Sequence, residues 1–113
     1  MEYYDVLIAG GSVGGLTTAR ECSSNGPSTI VIEEDHEIGT PEHCGGMVSL
    51  GGLQKLGLIV DSNNFQNAVS KARISSKSTS FEIPAEKQSV IVVDRRGLDK
   101  QIAKQAQDAG AEI

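Results

Sequence analysis

Residues 4–34 constrain the chain more than any other stretch. Val6, Leu7, Ile8 and Ala9 form a near-continuous apolar run that breaks at once into Gly10-Gly11-Ser12-Val13-Gly14-Gly15. A helix is expected from near Gly14, and the three breakers Asn25-Gly26-Pro27 end it. A second apolar run, Thr29 to Ile32, then finishes in Glu33. An unbroken apolar strand suits the centre of a parallel sheet with helices on both faces. The glycines turn the chain tightly and put no Cβ between the backbone and an approaching pyrophosphate. The free N–H groups and positive dipole end of the helix point to the same place. Glu33 stands about twenty residues after Gly10, the spacing at which an acid at the end of the second strand meets a ribose. The stretch has the outline of a dinucleotide-binding βαβ unit.

The copy of the glycine motif is imperfect, because Ser12 occupies the position of the middle glycine, where a Cβ is expected to crowd the pyrophosphate. Strand before, helix after and acid at the right distance supply the context the motif needs. The plainer alternative is a glycine-rich turn in an α/β domain, with Glu33 facing solvent.

A chain of 113 residues holds one core but is short for an enzyme that grips both a dinucleotide and a substrate, so part of a larger protein is expected. Ten basic against fifteen acidic residues give a net charge of -5, and Arg95-Arg96 is the only adjacent basic pair, which speaks against nucleic-acid binding. Cys22 and Cys44 lack the spacing of a zinc or iron-sulfur site, and His36 and His43 have no partner at ligand spacing, so no metal is expected. No basic leader with an apolar core opens the chain, and no apolar run approaches membrane-spanning length. A cytoplasmic, reducing setting with both thiols free follows, compatible with a peripheral membrane contact made elsewhere.

Leu16, Ala19 and Cys22 recur at helical spacing, which makes Cys22 a small core filler. Glu34 to Met47 is a long polar loop, of a length that tends to be functional or disordered. At its end, Cys44-Gly45-Gly46-Met47 allows backbone and sulfur to approach a flat ligand, and an inert loop cysteine is the alternative. A reactive thiol there needs a nearby cation or helix N-terminus, and Ser49 is placed to cap a short helix over Ser49 to Leu58, with Leu50, Leu53 and Leu56 on one side. Strands are expected near Ala72 to Ser75, Ser80 to Ile83 and Val90 to Val93, forming a small meander in which Phe81 and Ile83 are half-buried. A helix then runs toward Gly110 with Leu98, Ile102, Ala106 and Ala109 as its apolar stripe, and Ala111 to Ile113 begins another strand. Arg95, between strand and helix, either bridges a phosphate or flavin edge or pairs with a surface acid.

Three blocks therefore stand in order: the glycine turn with Glu33, the loop from Glu37-Ile38-Gly39 to Cys44-Gly45-Gly46, and Val93-Asp94-Arg95-Arg96-Gly97-Leu98-Asp99 leading to Ala109-Gly110-Ala111. Their order and spacing resemble the amino-terminal part of the FAD-dependent geranylgeranyl reductases, above all the archaeal enzymes acting on digeranylgeranyl glycerophospholipids. The resemblance covers nearly the whole chain, and its second block is the most particular to that family. It implies a Rossmann-like, glutathione-reductase-like FAD-binding domain of which residues 1–113 are the first part, the remainder and a prenyl-binding domain lying further on. It implies reduced FAD delivering hydride to prenyl double bonds of a glycerophospholipid, an unidentified electron donor, and no activity in residues 1–113 alone. By the same resemblance Gly10, Ser12, Gly14, Gly15 and Glu33 hold the dinucleotide, Cys44, Gly45 and Met47 approach the flavin with Cys44 as candidate catalytic residue, and Arg95 is the arginine before the following helix. Met47 departs from a glycine common in relatives. The competing readings are an FAD-dependent aromatic hydroxylase or other monooxygenase, and a non-enzymatic nucleotide-binding module.

Overall fold

The computed structural model describes residues 1–42, 44–84 and 89–113 and divides the chain into two compact units, residues 1–43 with 95–113 and residues 44–94. His43, examined above as a metal ligand, lies outside the described residues.

In the first unit, β1 (Val6–Ala9) lies parallel to β2 (Thr29–Ile32), with Val6 opposite Thr29 and Ala9 opposite Ile32. The crossover helix α1 (Val13–Ser24) joins them. A long helix, α2 (Arg95–Asp108), packs with α1 on one face of this pair. Small residues permit the close approach: Ala19 and Ala106 are fully buried with Val31 and Ala111, and Ile8 packs against them. Leu16, Leu98 and Ile102 complete the core, and Arg20 Nη1 donates to Gln105 Oε1 at 3.0 Å across the two helices.

Gly110 ends α2 as expected. Its φ of +113° is a left-handed conformation, the Gly110 N–H donates to the Gln107 carbonyl and the Ala111 N–H to that of Ala106, both at 2.9 Å, the paired bonds of a Schellman stop. The chain then forms a parallel bridge between Glu112 and Ile30, with Val31 N–H donating to the Glu112 carbonyl at 2.8 Å. Among the described residues both helices of this unit lie on one face of the strand pair, and Leu7 and Ile32 on the other are 64% and 53% exposed.

The second unit contains a three-stranded antiparallel sheet of β3 (Met47–Ser49), β4 (Phe65–Val69) and β7 (Val90–Val93), with β7 in the middle. A short helix, α3 (Leu50–Lys55), follows β3, and Ser49 Oγ caps it by accepting from Gly52 N–H at 3.1 Å. Leu53 and Leu58 are buried, whereas Leu56, expected beside Leu53, is 47% exposed. The helix closes through Leu58 N–H to the Leu53 carbonyl at 2.9 Å, and this stop carries Leu58 back to the core in place of Leu56.

Among the described residues the hairpin β5 (Lys71–Ser75) and β6 (Ser80–Pro84) pairs only with itself, so the expected single meander is two separate sheets there. Its strands are antiparallel as expected, and Arg73 Nη2 meets the cross-strand Glu82 Oε1 at 2.8 Å. Phe81 and Ile83 are exposed, since among the described residues no further layer covers the apolar face of this two-stranded ribbon.

Candidate functional site

The end of β1 turns sharply into α1. Gly10 N–H donates to the Ile32 carbonyl at 2.8 Å, extending the β pairing one residue into the turn, and the first intrahelical bond runs from Leu16 N–H to the Ser12 carbonyl at 2.8 Å. The N–H groups of Val13, Gly14 and Gly15 therefore lie ahead of the helical ladder. Ser12 is the N-cap in extended conformation, exposed, and its hydroxyl makes no capping bond.

The glycines have different jobs. A Cβ on Gly15 would stand 2.0 Å from the Gly10 carbonyl oxygen, so this glycine lets the helix close on the strand. A Cβ on Gly10 or Gly14 would meet nothing within 4 Å, which leaves the outer side of the turn open to a ligand. Gly11, passed over in the sequence, is buried, and a Cβ there would lie 2.7 Å from Ile38 Cδ1. Nothing short of the tertiary approach of Ile38 distinguishes it from its neighbour.

Glu33 is tied to this turn. Its Oε2 accepts the Gly11 N–H at 2.6 Å and its Oε1 the Asp35 N–H at 3.1 Å. These bonds, Asp35 first and Gly11 second, hold the carboxyl below its ordinary pKa, so it is ionised at neutral pH. A depressed folded pKa contributes stability that is present above the unfolded value, about 4.3, and is lost as pH falls through the folded value. Glu33→Gln is accordingly expected to flatten the acid limb of a stability-against-pH curve measured by urea unfolding. Parallel acid limbs in the two proteins would show that the carboxylate is not held by these bonds.

Ile38 and Gly39 link the turn to the start of α2. Ile38 packs at Gly11, and a Cβ on Gly39 would lie 2.7 Å from Arg96 Cα. Ion pairs of Glu37 with Lys100, and of Glu42 with Arg96 at 4.0 Å, fasten the same loop to α2. Arg95 thus belongs to the unit that holds the glycine turn. Its acid partner is Asp99, Nε to Oδ1 at 3.2 Å, and Asp99 is buried at 6% exposure, so this acid is not the surface acid of the alternative reading of Arg95. Burial pushes the Asp99 carboxyl above its ordinary pKa, and the Arg95 guanidinium opposes the rise.

Cys44, Gly45 and Met47 belong to the other unit. Cys44 is free and exposed, and its sulfur accepts the Gly46 N–H at 3.4 Å. Gly45, Gly46 and β3 lie between Cys44 and the start of α3, whose N-cap is Ser49. Gly45 has open space where a Cβ would stand, and Met47 is 65% exposed. Gly46 is the constrained glycine: a Cβ there would lie 2.1 Å from the Val93 carbonyl oxygen. Cys22 is free and half-buried, so it is not one of the buried core residues that its helical spacing places it among.

Unpaired N–H groups, an open outer face and a fixed carboxylate fit the pyrophosphate and ribose of a dinucleotide. Compared with known proteins, the chain is 36% identical over its whole length to digeranylgeranylglycerophospholipid reductase of Thermoplasma acidophilum, spanning 30% of that protein. The Thermoplasma volcanium protein of the same name matches equally, and Methanosphaera stadtmanae digeranylgeranylglycerophospholipid reductase 3 is 32% identical over 96% of the chain. The solved structure of a geranylgeranyl bacteriochlorophyll reductase-like protein from T. acidophilum superposes on 99% of the chain with a TM-score of 0.91 and 37% identity, the chain covering 30% of it. A flavin-dependent brominase follows at 0.75 and 25%, with 97% of the chain and 29% of the brominase covered. The chain therefore has the Rossmann-like fold it shares with that reductase-like protein and the flavin-dependent brominase, and it spans about 30% of the length of its curated relatives. No protein-family model matches it. Among the described residues no helix is long and apolar enough to cross a membrane.

Proposed function

We propose that the protein of which this chain is part is an FAD-dependent reductase that saturates geranylgeranyl double bonds of a membrane glycerophospholipid. The observation that carries the reading is the 36% identity, along the whole chain, to reductases named for that lipid. Gly10, Gly14 and Gly15, with the helix N–H groups behind them, hold the pyrophosphate, and the Ser12 hydroxyl is free to donate to it. Glu33 accepts from the adenosine ribose, its charge kept by the Asp35 and Gly11 N–H groups. Residues 1–113 form the first part of the FAD domain, and the prenyl-binding part lies in the rest of the protein.

When bound and reduced, FAD supplies hydride to one carbon of an isolated double bond. A proton must reach the other carbon, and the exposed Cys44 S–H is the candidate donor in this chain. Gly45 and Met47 border that thiol. A reductant outside the chain restores the flavin, and a lipid substrate brings a cytoplasmic protein to the membrane surface.

Cys44→Ser is expected to leave FAD affinity unchanged and to lower turnover by about tenfold or more, as for loss of a proton donor. Full turnover in the variant would return Cys44 to an inert loop position. The activity is tested with full-length protein whose flavin is chemically reduced under anaerobic conditions, mixed with digeranylgeranyl glycerophospholipid and followed by mass spectrometry. A gain of one hydrogen pair per double bond is expected. No gain with FAD bound would favour the monooxygenase reading on the same fold.

A further inference from the structure

Asp99 is a buried carboxylate to which the proposed cofactor site assigns no task. It lies in the second turn of α2 beside the fully buried Leu98 and the buried Ile102 and Ala103. Taking a carboxylate out of water in such surroundings is costly, and an apolar residue of similar size is commonly neutral or stabilising there. Packing alone is thus a poor reason for an aspartate at this position.

The geometry of its partner supplies a better one. Arg95 is only 23% exposed, and Asp99 engages its Nε, the nitrogen inside the guanidinium fork. Among the described residues neither Nη nitrogen has a partner. A guanidinium held through Nε keeps its planar pair of terminal donors in a fixed direction, which a lysine ammonium cannot reproduce. Arg95 opens α2, and the Ile38-Gly39 segment that packs on Gly11 also packs on Arg96, so these donors stand in the unit that carries the glycine turn.

We infer that Asp99 is a positioning residue: it fixes the Arg95 guanidinium through Nε so that the two Nη groups donate to an acceptor oxygen of the bound dinucleotide. The inference rests on the FAD reading above. The oxygen belongs either to the pyrophosphate or to the flavin, two sources of one chemistry.

The test uses full-length protein freed of flavin and titrated with FAD and separately with ADP. Arg95→Ala and Asp99→Leu are each expected to weaken FAD binding by about tenfold, the scale of one charge-assisted hydrogen bond. The double variant should bind no more weakly than Arg95→Ala, because the two changes remove one interaction. Asp99→Asn keeps an acceptor oxygen for Nε and should stay near wild type. Arg95→Lys supplies a charge to Asp99 without a fork and should be as weak as Arg95→Ala, which carries the test even if Asp99→Leu does not fold. An equal loss of ADP affinity places the oxygen in the pyrophosphate, and a loss confined to FAD places it in the flavin; either result supports the assignment.

Wild-type FAD affinity in Asp99→Leu, multiplying effects in the double variant, or rescue by Arg95→Lys would overturn the positioning role while leaving the FAD reading intact. A wild-type protein that does not bind FAD would overturn both.

Discussion

Gly15→Ala is expected to destabilise the flavin-free protein by about 2–3 kcal/mol, the cost of forcing a methyl group into a filled space. The added carbon would sit 2.0 Å from the Gly10 carbonyl oxygen and 3.3 Å from Ile8 Cγ2. The first of these is backbone in the turn itself, so relief requires α1 to move away from β1. Gly14→Ala, one residue earlier, is the contrast: nothing lies within 4 Å, and alanine is the better helix former by about 0.8–1 kcal/mol. Gly14→Ala is therefore expected to hold or raise stability while weakening FAD binding, since the new methyl group occupies the open side of the turn. Urea unfolding combined with FAD titration separates the two effects. Equal stability of the two variants would mean that the helix does not close on the strand as described.

Gly46→Ala carries the other large penalty. Its φ of +82° is one that L side chains rarely adopt, and its Cβ would lie 2.1 Å from the Val93 carbonyl oxygen. Strain and overlap together place the loss at about 3 kcal/mol or more. The clash falls where Val93 N–H donates to the Gly46 carbonyl at 2.8 Å, beside the last β3–β7 pair. Gly45→Ala, with open space around the new carbon, should unfold within about 0.5 kcal/mol of wild type. Unfolding midpoints that rank the two variants the other way round would contradict this division between the neighbouring glycines.

That division shows where sequence reading stops. The βαβ unit was legible because its parts act locally: an apolar run, a glycine turn, a helix with a breaker triplet, and an acid at fixed spacing. Gly110 was legible for the same reason, since a left-handed stop after a helical stripe is a local event. Gly11 and Gly46 were not, because their need for a missing Cβ arises from Ile38 and Val93, distant in sequence.

Strand β3 has three residues in a glycine-rich loop, too few to show a period, and β4 has a register irregularity between Phe65 and Asn67 that breaks its alternation. Phe81 and Ile83 alternate with Glu82 as a strand requires, but both are exposed rather than half-buried, since pattern says nothing about whether a covering layer is present. Asp99 shows no role in the sequence, since burial of a single acid on a helix leaves no mark in its neighbours' periodicity.

The most direct measurement is the affinity of the full-length protein for FAD in wild type and Glu33→Ala, by titration of flavin-free protein. The account predicts binding weaker by about 1–3 kcal/mol, or roughly 5- to 150-fold, for loss of a hydrogen bond to a charged acceptor. Unchanged affinity would remove Glu33 from the ribose and, with it, the dinucleotide reading of the turn to which Gly11 ties it.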